Sequence, residues 1–160
     1  MTSDQTAVTE VILAADHAGF AHKSAVREWL AAEGFRVVDV GAYVYDEADD
    51  FPAFMAAAAR NVQESPSTVR AILFGGSGQG EAMQANRFPG VRATVVYGGP
   101  DEIVTLSRSH NDANVLSVGA RFVSIDETKR LIWLWLHTAG PTDEKYHRRN
   151  QALDHASEIV

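Results

Sequence analysis

Four glycines, Gly75, Gly76, Gly78 and Gly80, crowd the stretch LFGGSGQGEAMQANRFPGVR between Leu73 and Arg92, with Ser77 and Glu81 set among them. Glycine leaves the backbone N–H groups unobstructed, and a helix beginning near Glu81 would point further free N–H groups at the same spot. Such a loop suits an anion or a developing oxyanion, with a hydroxyl and a carboxylate at hand. Other polar groups stand at comparable junctions: Asp16-His17 after an apolar run, His110-Asn111 before another, Arg121 after that one, and the basic group Lys145, Arg148 and Arg149 near the end.

The glycine loop must be tested against nucleotide binding. Gly75 and Gly80 have the spacing of a P-loop, but the next two positions hold Glu81 and Ala82 instead of the lysine and hydroxyl residue that grip phosphates and magnesium. A carboxylate there repels a triphosphate. The dinucleotide pattern fails too, since the third glycine position is Glu81 and the loop follows the third apolar run. His17 and His110 have the ordinary reading of surface or core histidines, set against their places beside Asp16 and Asn111. No His-x-x-x-His cluster appears, and neighbours such as Asp16 and His17 are expected to diverge, so no metal site is read. In an acidic protein the basic group is either a solvated face or a phosphate clamp, with Arg121 contributing.

The elements that must position these groups follow from apolar patterning. Short β-branched runs at Val11 to Ala15, Phe35 to Val40, Val69 to Phe74, Val91 to Val96 and Asn114 to Val118 read as strands. Helices are expected over Phe20 to Glu33, closed by Gly34, and from Phe51-Pro52 to Glu64, with shorter ones over Glu81 to Arg87 and Asp101 to Ser109. A helix over Asp126 to Thr138 carries LIWLWL and reads as apolar on every face, hence sandwiched between the sheet and another subunit. A polar segment, Lys145 to Arg149, and a final short helix follow. Alternating strands and helices specify an α/β fold: one doubly wound, Rossmann-like domain with a five-stranded, mostly parallel sheet over residues 11–160. Ligands of such sheets bind at the carboxyl ends of the strands, and a helix end is expected to carry His110 and Asn111 to that same rim.

With 160 residues, 46% hydrophobic and 22% charged, the chain reads as one soluble domain with a core of its own. The polar, acidic Met1 to Glu10 reads as a disordered leader in a cytoplasmic protein, and no apolar run reaches the ~20 residues of a membrane span. The absence of cysteine removes disulfides, thiolate zinc sites and a thiol base. A net charge of −7 argues against non-specific nucleic-acid binding.

Three motifs together, ADHAGF at Ala15 to Phe20, GGSGQGEAMQANRFPGVRA at Gly75 to Ala93 and SRSHNDANVLSVGAR at Ser107 to Arg121, resemble the type B ribose-5-phosphate isomerases, a family that includes galactose-6-phosphate and allose-6-phosphate isomerases. The resemblance runs from Val11 to about Leu153. It implies a Rossmann-like domain that forms homodimers or tetramers, active sites between subunits, a sugar-phosphate substrate and no cofactor. It assigns Asp16 and His110 to opening the sugar ring and His17, Arg121 and Arg149 to the phosphate. Ser77 takes a substrate oxygen, and the N–H groups of Gly75 to Gly80, with Gly76, Gly78 and Gly80 in the loop, take the enediolate oxygen, beside Asn111. Many members place a cysteine base at the Gly75 position; a second branch uses a glutamate that corresponds to Glu81. An Arg-His pair common in the family is replaced by Lys145-Tyr146, so Lys145 or Arg148 stands in for the phosphate arginine. Ribose 5-phosphate is the expected substrate, with galactose or allose 6-phosphate, a tetrose phosphate, or a non-catalytic sugar-phosphate-binding module as the alternatives. Asp16, Ser77, Glu81, His110 and Asn111 together speak against a mere binder.

Overall fold

The computed structural model describes residues 8–155. Five strands, β1 (Glu10–Ala15), β2 (Val37–Asp39), β3 (Val69–Gly75), β4 (Ala93–Val96) and β5 (Val115–Gly119), alternate with α1 (Phe20–Ala32), α2 (Phe51–Glu64), α3 (Gln79–Ala85), α4 (Asp101–Ser109), α5 (Ile125–His137) and α6 (Glu144–Asp154). The strands make one sheet in the order β2-β1-β3-β5-β4, and every pairing is parallel. The central strands β1, β3 and β5 are almost wholly buried, as expected of a parallel sheet covered on both faces. Alternation sorts their side chains. Val11, Leu13, Ile72, Phe74, Leu116 and Val118 pack with α1, α4 and α5, whereas Ile12, Ala14, Ala71, Leu73 and Val115 pack with α2 and α3.

Most expected elements form, and α2 and α4 have the expected ends, with Pro52 in the first turn of α2. The differences have local causes. Strand β2 shrinks to three residues because it is an edge strand paired only with β1. Strand β4 starts two residues late, since the Arg92 N–H donates to the Asn114 side chain at 2.8 Å rather than to a ladder partner. Helix α3 starts two residues early at Gln79, because Gly78 takes the left-handed conformation at its N-cap, φ 77°. The basic segment is not separate from the last helix: Lys145 to Arg149 lie inside α6. The leader expected over Met1 to Glu10 falls, for residues 1–7, outside the described residues, and Glu10 itself already pairs in β1. Among the described residues, no helix is long and apolar enough to cross a membrane.

Helix α5 corrects the expectation of an all-round apolar helix. Leu131, Ile132 and Trp135 are buried against the sheet, Leu134 and Leu136 are half-covered, and Lys129 lies partly open beside exposed Arg130. Trp133 is exposed, yet its ring lies 6.2 Å from Trp29 of α1 and stacks on His137 at 4.0 Å. Neighbours within the chain thus cover part of what the sequence seemed to leave for a second subunit.

Trp135 is fully buried, and its indole N–H has no hydrogen-bond partner among the described residues. Trp135→Ala should therefore lower unfolding stability by about 3–5 kcal/mol. Trp135→Phe should cost clearly less, because it keeps most of the ring and removes the unpaired donor. Urea titrations of the two variants check the order; equal losses would contradict it.

Candidate active site

The sheet order reverses at β1 and β3: β1 is followed outward by β2, and β3 leads to the β5-β4 half. The loops after these two strands diverge to opposite sides and leave a crevice at their carboxyl ends. Asp16 and His17 leave β1 there, and the glycine loop leaves β3. A 3-10 turn over His17–Gly19 follows β1, capped by Asp16, whose Oδ1 accepts the Gly19 N–H at 3.1 Å.

The loop after β3 is tied down by the loop after β5. Ala120 N donates to Gly75 O at 2.8 Å, Arg121 N donates to Gly76 O at 3.1 Å, and buried Ser117 Oγ donates to Gly78 O at 2.7 Å. Gly78 has φ 77°, and a Cβ there would meet Gly119 N and Ser117 Oγ at 3.1 Å, so both conformation and space demand glycine. Ser77, partly exposed, accepts the Gln79 N–H, and Gly80 follows in the first turn of α3. The Arg121 guanidinium lies over Gly76, 3.0 Å from where a side chain would begin.

Glu81 stands in the first turn of α3 and is 4% exposed. Its carboxyl group fills the space a side chain at position 75 would occupy, so any Cβ on Gly75 would overlap it. Helix N-termini favour ionised carboxylates, whereas burial favours the neutral acid. Burial wins: it pushes the Glu81 carboxyl above its ordinary value, with the negative charge of Asp16 adding to the rise and a hydrogen bond from Glu81's own N–H opposing it. A buried carboxyl with a raised value is a stronger base in its ionised form, which suits proton abstraction from carbon.

His17 was expected to diverge from its acidic neighbour. Instead one ligand atom each of Asp16, His17 and Asp49 lie within 4.8 Å of one another. All three are already engaged, since Asp49 Oδ1 lies 2.7 Å from His17 Nδ1 and Asp16 accepts the Gly19 N–H. The cluster reads as a hydrogen-bonded group. Asp49 carried no signal in the sequence, where it was one acid in a polar loop.

His110 and Asn111 do not reach this rim. Helix α4 connects the carboxyl end of β4 to the amino end of β5, so its last turn lies at the opposite edge of the sheet, roughly 16 Å away across five residues of strand. There His110 stacks on Tyr146 at 4.0 Å, and Asn150 Nδ2 donates to His110 O at 3.0 Å. Arg92 joins α6 to the same edge, holding both Asp154 carboxylate oxygens at 2.8 Å and donating to Asn111 O. Lys145 Nζ and the Arg149 guanidinium lie 4.7 and 5.9 Å from the Tyr146 ring centre, so both flank the His110 stack. Arg148 falls two residues beyond Tyr146, roughly 160° round the helix from it. A groove of about 440 Å³, lined in part by Arg87, Phe88, Arg92 and Asn111, opens on this edge. One chain thus carries two separated polar half-sites: Asp16, His17, Ser77, Glu81 and Arg121 at the carboxyl rim, and His110, Asn111, Lys145 and Arg149 at the amino rim.

A model of the ribose/galactose isomerase family matches residues 11–153. The chain is 34% identical over 143 residues to ribose-5-phosphate isomerase B of Mycolicibacterium paratuberculosis, a match that spans 89% of this chain and 88% of the relative. It is 35% identical over 127 residues to ribose-5-phosphate isomerase B of Escherichia coli, across 79% and 83% of the two chains. Its fold superposes with a TM-score of 0.86 and 31% identity on the crystal structure of ribose-5-phosphate isomerase B from Mycoplasma genitalium with bound ribulose-5-phosphate, covering 94% of this chain and 97% of that one. The family match spans the whole sheet and both rims, and the chain belongs to the ribose/galactose isomerase family.

Proposed function

We propose that this protein interconverts ribose 5-phosphate and ribulose 5-phosphate, with Glu81 as the base. The observation that carries the assignment of the base is the Glu81 carboxyl, buried at the β1/β3 crevice in the space over Gly75. Where relatives with a side chain at this position place their base, this chain places a carboxylate from the next helix.

The reaction moves one proton between adjacent carbons. Asp16 and His110 open the sugar ring. Glu81 removes the C2 proton of the open-chain aldose, negative charge collects on the carbonyl oxygen, and the backbone N–H groups of the glycine loop hold that enediolate oxygen. Glu81 then returns the proton to C1, while the hydroxyl proton passes from O2 to O1 with Ser77 beside it. No atom is gained or lost. His17 and Arg121 take the phosphate from one side, and Lys145 and Arg149 from the other. Of the two candidates for the missing arginine, Lys145 is preferred, since it shares the His110 face of α6 with Arg149.

The separation of the half-sites supports a homodimer in which the amino rim of one copy covers the carboxyl rim of the other. A two-fold axis would complete two equivalent sites at once. Exposed Tyr97, Ile103, Leu106 and Phe122 supply apolar surface for such an assembly.

Glu81→Gln should lower kcat by at least ~100-fold while the KM for ribose 5-phosphate stays within about threefold. The same change should not destabilise the fold. Because burial raises the Glu81 value, protonated Glu81 stabilises the fold fully below the unfolded-state value, and that stability is lost as pH rises through the folded-state value. Glutamine removes the cost of the charge, so Tm at pH 7 should equal or exceed the parent's. Retained turnover in an aldose-to-ketose assay would remove Glu81 from the base role. Deuterium wash-in from heavy water, run across ribose 5-phosphate and six-carbon sugar phosphates, tests both the enediolate and the substrate.

Mixing subunits tests the two-chain site. Glu81→Gln and His110→Ala homodimers should each be nearly inactive, but after unfolding and refolding together about a quarter of parental activity should return, because half of the dimers then carry one undamaged site. No recovery in re-formed dimers would overturn the shared site between two chains.

A further inference from the structure

We propose that Asp49 is the positioning residue for His17, accepting from its backbone and its ring so that the opposite ring nitrogen, Nε2, is held toward the substrate phosphate and donates to it in the imidazolium form. This rests on the isomerase reading only in naming the phosphate as part of a sugar.

A single oxygen makes both contacts. Asp49 Oδ1 accepts the His17 N–H at 3.1 Å and lies 2.7 Å from His17 Nδ1. The hydrogen bond at one imidazole nitrogen decides which nitrogen carries a proton, and here it requires a hydrogen on Nδ1. The Asp49 side chain is 7% exposed, while the imidazole is 28% exposed, so the carboxylate is hidden and the ring remains open to a ligand. Asp49 Oδ2 is buried and has no partner among the described residues. Without another donor to share its charge, the carboxylate favours the imidazolium form at His17.

Asp49 is itself held in place. Its N–H donates to Asp46 O at 3.1 Å, while Ala48 N donates to Asp46 Oδ1 at 2.9 Å, and α2 begins directly after Asp50. The start of this loop is pinned by buried Lys23, which pairs with Asp39 at 2.7 Å and also donates to Ala42 O. Tyr45 from the same loop meets the His17 ring edge-on, with centres 6.5 Å apart. The charged groups that act on the ring are Asp49, Asp16 and Arg121. The hydrogen bond to Asp49 is the largest influence and raises the His17 value above 6.5; desolvation opposes it, the charges of Asp16 and Asp49 reinforce it, and Arg121 lowers it. Arg121 is near enough for its charge to act on His17, so the rim brings two basic side chains to one place, as binding of a phosphate dianion requires.

The test is Asp49→Asn, read by inorganic phosphate binding and by nitrogen-15 NMR of the His17 ring. The variant should bind inorganic phosphate about tenfold more weakly, its His17 midpoint should fall toward 6.5, and the KM for ribose 5-phosphate should rise about tenfold with kcat within about twofold. Weaker phosphate binding with an unmoved His17 midpoint, or no change in either, overturns the proposal. The parent protein gives a second reading that needs no variant to fold: Nδ1 of His17 should remain protonated on both sides of the titration, and loss of the Nδ1 proton in the neutral form overturns it equally. Failure of the isomerase reading looks different, since a parent without turnover on any sugar phosphate leaves the phosphate and NMR results fully interpretable.

Discussion

The constraint on which everything else depends is that all five strands run the same way. Parallel pairing forces each connection to return across a face of the sheet, so every strand delivers its following residues to one rim and every helix delivers its own to the other. The chain order of the polar motifs is thereby converted into a spatial partition. Residues that follow strands, such as Asp16, His17, Ser77 and Arg121, converge, and residues that follow helices, such as His110 and Asn111, are sent to the far edge. No loop rearrangement of a few ångströms bridges a strand's length.

Within the carboxyl rim, space is as decisive as charge. The glycine loop was built around close approach, and its tightest approach is made by the protein itself, with the Glu81 carboxyl lodged over Gly75. That placement sets the electrostatics: the carboxyl is withdrawn from water, faces Asp16, and retains only its own N–H as a local stabiliser. A helix terminus alone would have kept it an ordinary, readily ionised acid. The second influence at this rim is opposite in sign. His17 is drawn toward its protonated form by Asp49, so the crevice holds a carboxyl biased toward neutrality and an imidazole biased toward charge. In the proposed roles, the raised carboxyl is a stronger base once ionised, and the raised imidazole holds positive charge for an anion.

Much of this was legible in the sequence, for identifiable reasons. Buried parallel strands write short β-branched runs, and Val69 to Phe74 or Val11 to Ala15 permitted no other reading. Pro52 and Asp101 marked helix starts that the structure keeps. The glycine loop and Glu81 were conspicuous because so much local chemistry was compressed into a few residues. What was not legible depended on pairs distant in the chain. Asp49 lies 32 positions from His17 in a loop without periodicity, so nothing local distinguished it from Asp46 or Asp50. Composition misled at α5, where six apolar residues in a row read as apolar on every face and so as covered by a second subunit, although Trp29 from another helix of the same chain packs against one of them. The side of α6 that packs on His110 is set by the His110–Tyr146 stack and could not be read from a run of basic residues.

The close approach of Gly75 and the Glu81 carboxyl has a consequence for how such a site changes over time. A cysteine introduced at Gly75 would meet the tip of the Glu81 side chain and displace it from its present seat. With Glu81 in the proposed role of base, positions 75 and 81 are therefore epistatically coupled, and a change at either is felt at the other.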